Sequence, residues 1–71
     1  MKRTELLRKL TAIAKAKGFE LVLVREGGNH TIYAIGPEQF PVGRHNDIPE
    51  ITAKATLKAA EAVPAAPKED Q

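Results

Sequence analysis

The sequence predicts an α+β domain of order α-β-β-β-α, with a three-stranded antiparallel sheet and both helices on one of its faces. Three observations predict it. An opening stretch has helical hydrophobic spacing, three short β-branched or aromatic runs follow between Gly- and Pro-containing turns, and a closing alanine-rich stretch returns to helical spacing.

In the first element, residues 4–17, the apolar positions Leu6, Leu7, Leu10, Ile13 and Ala14 fall at i, i+3, i+4 and i+7, which gives a helix one buried stripe. Thr4 is the expected N-cap, and Gly18 stands where a left-handed residue ends the last turn. Residues 19–25 read FELVLVR, with Leu and Val on both parities, as expected of a strand in the middle of a sheet. Gly27 and Gly28 then provide the permissive backbone of a tight turn. The second strand covers residues 30–35 and ends at Gly36-Pro37, a further turn signal. The third covers residues 39–42, and Pro41, lacking an N–H donor, assigns it to an edge.

Asn46-Asp47-Ile48-Pro49 leads into the second helix, with the proline near its first turn. Ala53, Thr56, Leu57 and Ala60 form a narrow stripe of small residues suited to close approach on a sheet, with Ile51 and Ala55 on its shoulder. Residues 1–62 are thus the expected folded domain. Residues 63–71, VPAAPKEDQ, are rich in Pro, Ala and charge, and are expected to be a disordered tail that buries nothing.

A chain of 71 residues is enough for one domain, and domains this short bury only about 60% of the surface that the unfolded chain exposes. Such a thin core leaves little room for a deep cavity, so function is expected on the surface. The absence of cysteine removes disulfides, thiolate catalysis and Cys-based zinc sites, and a reducing cytoplasm is the simplest expected home. The opening MKRTELLRKL lacks the apolar core of a secretory signal, and no stretch approaches the roughly 20 apolar residues of a membrane span. Neither export nor a membrane partner is expected.

Eleven Lys or Arg against nine Asp or Glu give a net charge of +2, but the distribution is uneven. Lys2, Arg3, Arg8, Lys9, Lys15 and Lys17 lie near the N-terminus, where Glu5 is the only acid, so the first helix is the expected contact for a phosphate backbone. Arg25 and Arg44 are further candidates to clamp a phosphate.

Two histidines head the list of residues able to do chemistry, because imidazole alone gives and takes protons near neutral pH without perturbation. His30 follows Gly27-Gly28-Asn29, where a turn meets a strand and a side chain is reachable from solvent. Ile32 and Ala34 share its parity, which places it at the rim of the core face, while Tyr33 points to the other face. His45 follows Gly43-Arg44 after the third strand. The start of strand two and the end of strand three are read as different positions along adjacent strands, so the pattern leaves open whether the two rings meet.

A zinc site fails on ligand count, since no carboxylate completes a set of at least three protein ligands at recognisable spacing. No phosphate-binding Gly loop, nucleophile elbow or carboxylate pair is present, so no nucleotide or other cofactor is expected. Metal-free RNA cleavage remains feasible, because the substrate brings its own nucleophile in the 2′-hydroxyl and the protein need only manage protons and phosphate charge.

The segment Gly28-Asn29-His30-Thr31-Ile32-Tyr33, after a basic helix and the FELVLVR strand, resembles the Gly-Ser/Asn-His-x-x-Tyr/Phe core of HicA toxins. The stretch Val42-Gly43-Arg44-His45-Asn46-Asp47-Ile48, with Thr52-Ala53-Lys54 and Leu57-Lys58 beyond it, is similar to the family's Val-Pro-Arg-His-x-Glu-Ile stretch and final helix. The match runs from about Thr4 to about Ala60. Gly43 stands where the family usually has proline, and Asp47 replaces the commoner glutamate.

The resemblance implies a double-stranded-RNA-binding-like fold and an mRNA-cleaving toxin of a toxin–antitoxin pair, silenced by a cognate HicB antitoxin. It implies that His30 is catalytic, that Gly28 belongs to the turn displaying it, and that Arg44 with His45 forms a secondary site, to which Tyr33 is added by its place in the motif. The competing expectation is a non-catalytic RNA- or protein-binding module, or an inactive remnant, on the same fold.

Overall fold

The computed structural model describes residues 1–67. Its elements are α1 (Arg3–Ala16), β1 (Leu21–Glu26), β2 (His30–Ile35), β3 (Glu38–Gly43) and α2 (Glu50–Glu61). The strands form one antiparallel sheet in the order β1-β2-β3, so the α-β-β-β-α reading holds.

The helices cover one face of the sheet. Leu6, Leu10 and Ala14 of α1 and Ala53 and Ala60 of α2 bury their side chains with Ile35, Phe40 and Val42 of the strands. Leu6 and Leu10 are fully buried, and each such side chain contributes about 1.5–3 kcal/mol. Ala53 and Ala60, both 0% exposed, carry no bulk beyond a methyl, which lets α2 approach closely.

The register assigns the sheet faces. Thr31 pairs with Val42 and Tyr33 with Phe40, on the covered side; His30 pairs with Gly43, Ile32 with Pro41 and Ala34 with Gln39, on the uncovered side. His30 is thus not at the rim of the core face. It lies on the open face, because the helices dock on the parity of Thr31, Tyr33 and Ile35. Tyr33, half-buried against the core, lies on the opposite face and cannot join His30.

Five further expectations are corrected. β1 is an edge strand, because a three-strand meander necessarily puts its second strand in the middle; Val22, Leu23 and Val24 are consequently exposed. Thr4 lies inside α1, whose N-cap is Lys2 without a side-chain cap bond; the short antiparallel bridge between Lys2 and Asp47 holds that end instead. Gly27 and Gly28 do not use the left-handed region, which among non-terminal turns is taken by Gly18 (φ 84°) after α1 and Gly36 (φ 58°) between β2 and β3. The β1–β2 turn has three residues and closes through the Gly27 N–H donating to His30 O at 2.8 Å, so it needs no reversed φ.

The tail does bury surface. Val63 is 2% exposed, and the Ala66 N–H donates to Lys17 O at 2.7 Å. The turn after α2 folds the chain back over the end of α1, a long-range contact that composition does not encode. Residues 68–71 of the expected tail lie outside the described residues. The basic surface of α1 is likewise not wholly free, since Arg3 and Lys17 bond to backbone carbonyls of other segments.

Candidate functional site

Antiparallel pairing sets His30, the first residue of β2, directly opposite Gly43, the last of β3. The two ends that sequence reasoning took for different positions are therefore side by side, and the chain needs only two more residues to reach His45. Both histidines are exposed and both line one groove of about 440 Å³ beside the β3 edge. Pro41 and Gly43 form its strand side, Asp47 its loop side, and Ile51, Thr52 and Ala55 of α2 its far wall. Ile51 is 85% exposed.

The turn that presents His30 is braced by Arg44. Its Nη1 donates to Gly28 O at 3.1 Å, its Nη2 donates to Gly27 O, and its Nε donates to Thr31 Oγ1 at 3.3 Å. Its Nη2 also lies 3.6 Å from the Glu26 carboxylate. A planar guanidinium can serve several acceptors at once, where an ammonium is a point charge. Arg44 is thus engaged in holding the turn rather than free to clamp a phosphate.

Arg3 acts in the same way from the other side. Its Nε donates to Gly43 O at 2.9 Å and its Nη2 to Thr31 Oγ1 at 3.4 Å. Thr31 is the buried polar residue of the core, 2% exposed, and its hydroxyl oxygen accepts from both arginines. One α1 residue, one β2 residue and one loop residue are thereby tied together next to His30.

The basic surface expected of α1 is divided accordingly. Arg3 is drawn inward as described, and Lys17 donates from Nζ to Glu61 O at 2.9 Å, linking the ends of the two helices. Both are taken into the fold because their long stems reach backbone carbonyls of neighbouring elements. Lys2, Arg8, Lys9 and Lys15 remain exposed, with Lys9 in an i,i+4 pair with Glu5 at 3.7 Å. α1 packs on the covered face of the sheet, opposite the face that carries His30. Arg25, paired with Ile32, is the basic residue that shares His30's face, and Lys2, bridged to Asp47, flanks the groove from the N-terminal side.

At the start of α2, the hydrogen bond and charge of the Met1 ammonium, 2.9 Å from Glu50 Oε1, hold the Glu50 carboxyl below its usual range. Lys54 and Lys9 add smaller contributions in the same direction. Lys54 is exposed beside the groove residues Ile51 and Ala55.

Sequence reading found His30, its turn and His45, but missed the bracing role of Arg3, the hydroxyl of Thr31, and Ile51 and Thr52 as groove walls. No local signal marks these; each depends on strand register or on where α2 docks. No protein-family model matches the chain, and no curated protein or solved structure is significantly similar to it.

Proposed function

We propose that this chain is a metal-independent endoribonuclease of the HicA toxin type, acting on mRNA in the cytoplasm and held inactive by a HicB-like antitoxin. The observation that carries the reading is the placement of His30 and His45 along one solvent-open groove. One imidazole can start cleavage next to a ribose, and a second can complete it. One removes the proton of the 2′-hydroxyl, whose oxygen attacks phosphorus; the other protonates the departing 5′-oxygen, leaving a 2′,3′-cyclic phosphate and a free 5′-hydroxyl. His30 takes the role the resemblance gives it, and His45 is its complement.

Phosphate charge near the groove falls to Arg25, on the open face, and to Lys2 and Lys54 at its flanks, rather than to the whole length of α1. Arg44 acts as a positioning residue. The α-β-β-β-α order with an open sheet face supports the double-stranded-RNA-binding-like reading. The exposed Ile51 and its proline neighbours supply an apolar rim that an antitoxin would cover.

The same rim favours the second reading, a binding module without catalysis, and one experiment separates them. Expression of the chain should arrest growth and yield RNA ends bearing cyclic phosphate. His30→Ala should lower cleavage by about 10²–10⁴-fold, with growth restored. Equal arrest by both forms rules out the mechanism, as does cleavage that EDTA abolishes.

A further inference from the structure

The unprotected edge of the sheet is β1. Val22, Leu23 and Val24 are 51%, 50% and 41% exposed, an apolar run on an edge strand whose outward N–H and C=O groups have no neighbouring strand. We propose that β1 pairs with β1 of a second copy of this chain, antiparallel about a two-fold axis through Val22, to give a continuous six-stranded sheet. The inference does not rest on the nuclease reading, although it draws Arg25, there a phosphate contact, into the dimer interface.

The bulge in β1 selects the register. Leu23 pairs with Tyr33 and Arg25 with Ile32, so Val24 is the extra residue and Arg25 falls on the same sheet face as Val22. Glu20, one pleat before Val22, shares that open face. Residues directly opposite across an antiparallel pair lie on the same face. Centred on Val22, the pairing sets Val22 against Val22 and Glu20 against Arg25 on the open face, and Leu21 against Leu23 on the helix side. From Glu20 to Arg25, apolar meets apolar and acid meets base, with the bulged Val24 left without a counterpart. Moving the axis to Leu23 sets Val22 against Arg25 and Leu21 against Glu26; moving it to Leu21 leaves Arg25 without a counterpart. Among the described residues, neither Glu20 nor Arg25 has an ion-pair partner within its own copy.

A second feature fits the same register. Beside β1, between the end of α1 and the start of the strand, lies a hollow of about 630 Å³ lined by Thr11, Lys15, Gly18, Phe19, Glu20 and Leu21. Leu23 of the second copy stands opposite Leu21, at the wall of this hollow, where its half-exposed side chain has room to enter. The other sheet edge, β3, carries Pro41 and the His30–His45 groove, so both grooves stay open at the outer ends of the dimer.

Sedimentation equilibrium of the full chain over a micromolar-to-millimolar series tests this. A monomer–dimer equilibrium is expected. Val22→Lys, at an exposed site, sets two ammonium groups across the axis and should give a monomer throughout. Glu20→Arg or Arg25→Glu should each weaken association by about tenfold, because two opposite-charge pairs become like-charge pairs. The double charge swap should restore it. A wild-type chain that stays monomeric to millimolar concentration overturns the proposal, as does a dimer indifferent to Val22→Lys or a double swap that fails to rescue. Circular dichroism of each variant separates lost association from lost fold.

Discussion

Arg44→Ala removes a guanidinium that serves Gly27 O, Gly28 O and Thr31 Oγ1 and faces Glu26 at 3.6 Å. A hydrogen bond to a charged donor is worth about 1.5–3 kcal/mol when the freed acceptor cannot rehydrate. Here the Arg44 side chain is 39% exposed and Gly28 is exposed, so water takes over part of each contact, and the surface pair with Glu26 adds at most about 1 kcal/mol. The expected net cost is about 2 kcal/mol. Against a total stability of roughly 4–10 kcal/mol for a chain of this size, the variant stays folded, with its melting midpoint lowered by about 10 °C.

The larger effect is local. The Gly27 N–H bond to His30 O, 2.8 Å, closes the turn, and losing the brace should speed amide exchange at Gly27 well beyond the global change. A displacement of about 1 Å at a reacting group can cost about 10²-fold in rate, so RNA cleavage should fall even though His30 is intact. Arg44→Lys keeps the charge but not the planar fork, and should resemble alanine in Gly27 exchange. Thermal melts and amide exchange by NMR read both quantities without assuming any activity. An unchanged melting midpoint and unchanged Gly27 exchange in Arg44→Ala would refute the bracing argument; full recovery with lysine would show that charge alone suffices.

Two further outcomes are expected. Gly36→Ala should destabilise by at least about 2 kcal/mol, since φ is 58° and the added Cβ would meet three atoms of the Phe19 ring at 2.6–2.9 Å. Gly28→Ala, with nothing within 4 Å of the new Cβ, should be nearly neutral, and denaturant titration of the two compares them directly; equal losses would contradict the turn assignment. Glu50 supplies the pH dependence. Its folded pKa is lowered by the Met1 ammonium, so its stabilisation is present above the unfolded value, about 4.3, and is lost as pH falls through the lower folded value. Melting curves of the wild type and Glu50→Gln should differ by a small amount near pH 6 and converge in acid, and parallel curves across that range would remove Glu50 from the acid response.

Local chemistry made much of this molecule legible. The 3.6-residue spacing of Leu6, Leu10 and Ala14 specifies α1 and its buried stripe. The missing N–H of Pro41 places β3 at an edge, and Gly18 and Gly36 mark reversals of the chain. The exposure of His30 follows from its position where a turn meets a strand. These features depend on residues a few positions apart, whose backbone geometry is set by near neighbours.

Tertiary structure decided the rest. Parity says that His30 and Tyr33 lie on opposite faces, but only the docking of two helices decides which face is covered. Cross-strand register brings Gly43 beside His30 and so delivers His45 to the same groove. Arg3, Arg44 and Lys17 read in sequence as interchangeable surface cations, yet each reaches a carbonyl on a distant segment. Val63 belongs to the core because the chain turns back after α2. Periodicity constrains which residues share a side; the free energy of burying one side rather than the other is collected only when separate elements meet.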